Sequence, residues 1–154
     1  LETDEKGRIK LSMKALLDRA PANASLDEVI PIGLRVARAI GSPVYPAAED
    51  RLRTRITSDY RRSFYPQGAA RQISAIMDDG DRRKRLKKVR VPSLVIHGVD
   101  DPLVPVEGGR DTAAHIPGAK LLEIQGMGHD LPPALYDTFV DAILSAVGRA
   151  KTSA

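Results

Sequence analysis

The sequence contains no cysteine and no tryptophan. The absence of cysteine removes disulfides, thiolate metal sites and a cysteine nucleophile, and it is compatible with a cytoplasmic protein. No run approaches the ~18 consecutive apolar residues of a membrane-spanning helix. No basic segment followed by an apolar one marks a secretory leader. Charge of one sign is not in excess: 24 Lys and Arg face 20 Asp and Glu, a net +4, which permits weak attraction of anions and says little about fold. The three histidines lie in unrelated contexts without metal-ligand spacing, and no glycine-rich phosphate loop is present. No metal and no cofactor is therefore expected. The chain opens on Leu1 rather than Met, so it reads as a processed chain or a piece of a longer one.

What is present is an ordinary globular composition, 42% hydrophobic and 29% charged over 154 residues. A chain of that length hides roughly two-thirds of its unfolded surface, enough for one domain, or one domain with a small subdomain. The first ninety residues read as helical. Lys10–Ala20 spaces Leu11, Met13, Leu16 and Leu17 close to a helical period. Ser25 followed by Glu28 is a capping box opening a helix to about Ile40, with Pro31 in its early turns and Gly41–Ser42–Pro43 as its stop. Ala47–Tyr65 and Ala69–Met77 are further helical stretches. Arg82–Arg90 is the basic run. Leu86 and Val89 are interleaved in it at helical spacing, so it reads as a solvated helix face rather than a nucleic-acid site.

The texture changes at Val89. Val91–Gly98 is short, apolar and β-branched, as in a strand buried on both faces of a parallel sheet. Gly108–Ile116 reads as a helix ended by Pro117–Gly118, Ala119–Ile124 as a second strand, and Ala134–Val147 as an amphipathic helix with the stripe Leu135, Phe139, Val140, Ile143, Leu144 and Val147. Residues 149–154 read as a frayed polar tail. Strand and helix alternate, which makes this half α/β with parallel strands. Two strands do not complete such a sheet, because each exposes an edge. The second half therefore looks like the end of a larger, incomplete sheet.

Ligands of open α/β sheets bind beyond the carboxyl ends of the strands, and both loops at those ends carry chemistry. One is His97–Gly98–Val99–Asp100–Asp101–Pro102; the other is Gly126–Met127–Gly128–His129–Asp130–Leu131. An Asp that holds an imidazole by its Nδ1–H, leaving Nε2 as a base, is two members of a hydrolytic triad.

VPSLVIHGVDDPLVP followed by GMGHDLP resembles the C-terminal portion of the α/β-hydrolase superfamily, in an esterase-like branch that includes polyketide methylesterases. The resemblance covers about 89–148. It implies residues 89–154 as the C-terminal part of the hydrolase core, its last two parallel strands with helices. Residues 1–88 would be a helical cap. It implies Asp101, fourth from Gly98, as the acid and His129 as the general base, with Asp100 as the competitor one residue away. In that family the chain order is nucleophile, acid, His, and the nucleophilic Ser sits in G-x-S-x-G. None of the nine serines here has that context; Gly41–Ser42–Pro43 is the nearest miss.

The expected function is Ser-His-Asp hydrolysis of a carboxylic ester or related acyl bond, by a protein whose nucleophile lies outside this chain. An Asp nucleophile would instead imply dehalogenase or epoxide-hydrolase chemistry. This chain alone is then inactive. It pairs with the missing N-terminal half or with a second copy, takes a small ester-like substrate, and binds neither nucleic acid nor a membrane. Tyr60, Phe64, Tyr65, Met77 and Leu131 are candidate pocket residues, with core packing the commoner reading of any one of the three aromatics and Met77. His97 reads as a structural support of the acid loop and Asp130 as a turn residue. The alternative to an enzyme is a non-catalytic binding or split-subunit module derived from a hydrolase.

Overall fold

Ser25 and Glu28 open the first described helix as a capping pair. In the computed structural model, which describes residues 20–152, the Glu28 carboxylate accepts both the backbone N–H and the hydroxyl of Ser25 at 2.8 Å. The expected helix over Lys10–Ala20 lies outside the described residues. So do the side chains of Ala69, Ile73, Met77 and residues 149–152.

The chain divides into two compact units, one of residues 1–41 and 47–80, the other of 42–46 and 81–154. The described part of the first is three helices: α1 (Leu26–Ile40), α2 (Glu49–Arg62) and α3 (Gln67–Asp79). Helix α1 continues through Pro31 and buries Leu34, while α2 buries Leu52. Glu49 sits between Arg38 and Arg53 and pairs with both. These pairs lie on the surface, where each contributes on the order of 0–1 kcal/mol.

The second unit holds the one-turn helix α4 (Arg83–Leu86), β1 (Leu94–Gly98), α5 (Val106–His115), β2 (Lys120–Ile124), a 3₁₀ turn (Pro133–Leu135) and α6 (Tyr136–Thr152). The strands pair in parallel, Leu94 opposite Lys120 and Gly98 opposite Ile124, and α5 is the crossover that parallel pairing requires. Alternation assigns the two faces. Ile96, Leu122 and Ile124 pack with Met127, Leu135 and Phe139. On the other face His97 lies under Gly109 of α5, and Glu123 takes a two-pronged ion pair from Arg110 at 2.6 and 3.0 Å.

Three expectations need correction here. The strands are half-buried rather than buried on both faces, and Leu121 is 37% exposed. Among the described residues each has a single neighbouring strand, so cover is incomplete. The basic run is a solvated face with Leu86 and Val89 half-buried, as expected, but it is helical over the single turn Arg83–Leu86 only. Arg83 pairs with Asp111 of α5 at 3.1 Å, and Arg90 is drawn back onto the Lys87 and Val89 carbonyls. The tail expected to fray from 149 continues α6 to Thr152. The expected apolar stripe is split: Leu135, in the 3₁₀ turn, and Phe139 of α6 are buried, whereas Val140, Ile143, Leu144 and Val147 stand about half exposed. No described helix is long and apolar enough to cross a membrane.

Candidate active site

Parallel pairing sends both strands out on the same edge, so the loops after Gly98 and after Ile124 meet there. They meet closely. A Cβ on Gly98 would lie 2.2 Å from the Met127 carbonyl oxygen, so only glycine lets the second loop cross the end of β1. Gly126, at φ +75°, turns that loop in a conformation that side chains with a Cβ avoid.

Asp101 follows β1 by three residues. Its Oδ1 accepts the backbone N–H groups of Leu103 and Val104 at 2.8 and 2.9 Å, an Asx-type turn that folds the loop around its own carboxylate. Its Oδ2 faces His129, whose Nδ1 lies 2.7 Å away. The Asp101 side chain is only 5% exposed, against 42% for His129. A buried carboxylate needs donors, and here two peptide groups and one imidazole supply them. Because the carboxylate accepts, Nδ1 carries the proton, and Nε2 remains as the basic nitrogen of the neutral ring.

Asp100 points elsewhere. Its Oδ2 accepts the Gly126 N–H at 2.7 Å, and its own N–H donates to the Met127 carbonyl at 3.1 Å. It therefore fastens the histidine loop to the acid loop without touching the imidazole in any recorded bond. His97 donates from Nε2 to the Val104 carbonyl at 2.9 Å and stands 3.8 Å from Asp101 Oδ2. It braces the loop that Asp101 caps.

The candidate pocket residues are distributed over both units. In the first, the Tyr60 hydroxyl donates to the Ala24 carbonyl at 2.9 Å, and its ring lies 4.8 Å from that of Phe64. Tyr65 is half exposed under the Arg71 guanidinium. Met77 falls on α3, its side chain outside the described residues. In the second, Leu131 is 67% exposed two positions after His129.

One participant escaped the sequence. Ser42, which reads there as part of a helix stop, belongs to the second unit and bonds to the histidine loop: its hydroxyl accepts the Gly128 N–H at 2.9 Å and donates to Asp130 Oδ1. No local signal marks it, because its partners are more than eighty residues away. Among the described residues no group of three His, Cys, Asp or Glu is placed to hold a metal ion.

The model of the family described as TAP-like protein matches residues 73–145. The chain is similar to rhodomycin D methylesterase of Streptomyces peucetius, with 40% identity over 62 residues, 40% of this chain and 21% of the relative. It is similar also to the bifunctional esterase/perhydrolase of Acinetobacter calcoaceticus, 34% identical over 68 residues, 44% of this chain and 25% of that one. Among solved structures, an esterase from Rhodococcus sp. ECU1013 superposes with a TM-score of 0.65 at 21% identity, over 94% of this chain and 50% of its own. The chain thus spans about half the length of that solved relative, and its matches cover a quarter or less of the two curated ones.

Proposed function

Since this chain belongs to the α/β-hydrolase superfamily, on its esterase-like side, we propose that it is the acid-and-base half of an enzyme cleaving a carboxylic ester or related acyl bond. The observation that carries the reading is the 2.7 Å contact between His129 Nδ1 and the buried Asp101 carboxylate. In the proposed reaction His129 Nε2 removes the proton from a serine hydroxyl as its oxygen attacks the acyl carbonyl. It then returns that proton to the departing alcohol, leaving an acyl-enzyme. The same nitrogen next takes a proton from water as the water oxygen attacks the acyl carbon, and returns it to the serine oxygen as the acyl–oxygen bond breaks, which releases the acid and restores both serine and imidazole. Asp101 holds the ring in the Nδ1–H form and stabilises it while it carries both protons.

The serine is assigned to sequence outside these 154 residues. Three observations support that assignment. No serine here stands in G-x-S-x-G. The chain covers 50% of the solved esterase. The described sheet has two strands, with the Val140–Val147 stripe of α6 half exposed beside it. The first unit is assigned as the helical cap, and Leu131, exposed beside the base, to the acyl pocket.

Purified residues 1–154 and a longer protein that adds an upstream strand–G-x-S-x-G–helix segment would be assayed on p-nitrophenyl esters. The short chain is expected to be inactive, and the longer one active unless His129 is replaced by Ala. Turnover by residues 1–154 alone that disappears in His129→Ala would overturn the assignment of the nucleophile.

A further inference from the structure

The loop that carries His129 is gripped from a distant part of the sequence. Residues 42–46 leave the helical unit and belong with the second unit. Ser42 is 4% exposed, and its hydroxyl is used in both directions. It accepts the N–H of Gly128 at 2.9 Å and gives its proton to Asp130 Oδ1. These are the two residues that flank His129. Two positions further, the Val44 N–H donates to the Gly126 carbonyl at 3.2 Å, and a Cβ on Gly126 would collide with the Val44 side chain. Asp100 holds the same loop by two further bonds, accepting the Gly126 N–H and donating its own N–H to the Met127 carbonyl.

A bond from a hydroxyl to a carboxylate is charge-assisted, so it fixes the hydroxyl rotor as well as the two chains. It also rules Ser42 out as the missing nucleophile in this geometry. A nucleophilic serine directs its proton to the imidazole, whereas this one directs it to Asp130 from a buried position.

We infer that Ser42 is a positioning residue for His129. By binding the peptide neighbours on both sides, it sets the backbone from which the imidazole reaches Asp101 and so keeps the proton on Nδ1. The inference rests on the reading of His129 as the base, but the state of the ring can be measured without turnover.

The test uses the complete protein with Ser42→Ala and Ser42→Thr. Nitrogen-15 shifts of the His129 ring report its tautomer, thermal melting reports the fold, and ester kinetics report the reaction. Ser42→Ala is expected to melt cooperatively and to show a mixture of Nδ1–H and Nε2–H forms. It should lose kcat on the order of tenfold, less than the ~100-fold that an ångström of misplacement can cost, with KM nearly unchanged. Ser42→Thr, which keeps the hydroxyl, is expected to recover the wild-type tautomer and most of kcat. If Ser42→Ala does not fold, Asp130→Ala removes only the acceptor of the Ser42 proton, and the same mixed tautomer is expected there. A wild-type tautomer and kcat in whichever of these variants folds overturns the inference. If the tautomer shifts but His129→Ala remains active, the tether stands and the assignment of the base fails.

Discussion

Asp101 presents one oxygen to His129 Nδ1 at 2.7 Å and commits the other to the peptide N–H groups of Leu103 and Val104. The carboxylate cannot turn without breaking two backbone bonds, so its face towards the imidazole is set by the loop. An asparagine at this position meets donors on both sides. If its carbonyl oxygen faces the peptides, its NH₂ faces Nδ1 and drives the ring proton onto Nε2, which blocks the nitrogen proposed as the base. On the proposed hydrolase reading, Asp101→Asn in the complete protein is therefore expected to lower kcat by about 10⁴-fold, as for a triad forced into the wrong tautomer, with KM nearly unchanged. Asp100→Asn retains an acceptor for the Gly126 N–H and should leave kcat near wild type. Loss of activity in Asp100→Asn with activity kept in Asp101→Asn would reverse the two assignments.

Gly98 is a test of how closely the loops must approach. A methyl group there would overlap the Met127 carbonyl oxygen at 2.2 Å and the Gly128 carbonyl oxygen at 2.6 Å. Both obstacles are backbone, so no rotamer change relieves them. Forcing extra volume into a packed site costs typically 1–3 kcal/mol, and this contact belongs at the upper end of that range. Gly98→Ala is expected to show a lower urea midpoint and to lose the His129–Asp101 bond. A midpoint equal to wild type would mean that the crossing is looser than 2.2 Å.

Much of this arrangement is legible in the residues. The β-branched run before Gly98 and the two Asp- and His-bearing loops mark one edge of a parallel sheet, and the observed register joins those loops as that reading requires. The esterase-like family is legible in the same two segments. Boundaries are less so. β1 starts at Leu94 rather than Val91 because Pro92 has no N–H to offer a ladder. Burial of the strands is also misread from composition: an apolar run reports what a position prefers, while its cover depends on how many strands lie beside it. Ser42 lies furthest from view. Its role comes from a contact spanning more than eighty residues, whereas its sequence context of Gly and Pro describes only where a helix stops.

The capping pair offers a test confined to the helical unit. Ser25→Ala removes the hydroxyl that donates to Glu28 but leaves the backbone N–H that does the same. Loss of an N-cap side chain costs about 0.5–2 kcal/mol, and the retained bond argues for the lower part of that range. Chemical denaturation should show a small fall in the midpoint for Ser25→Ala and a larger one for Ser25→Ala with Glu28→Ala. Equal losses would mean that the hydroxyl contributes all of the cap.

Acid stability has a definite sign. Glu123 is held below its ordinary value of 4.5, first by the hydrogen bond from Arg110 and also by the Arg110 charge, against the opposing effect of burial. Glu28 is lowered by the Ser25 backbone N–H and then by its hydroxyl. A carboxyl whose pKa falls on folding binds protons more readily in the unfolded chain. It therefore stabilises the fold fully above the unfolded value and ceases to do so as pH falls through the folded one. The melting temperature should hold steady from neutrality to the mid-fours with respect to these two groups and decline below. Glu123→Gln should be the less stable protein at pH 7, and the gap to wild type should close as the pH is lowered through and below 4.5. High salt should narrow the gap at pH 7 as well, because part of the Arg110–Glu123 attraction is screened. A gap that widens on acidification would show that the pair does not stabilise the fold through the ionised carboxylate.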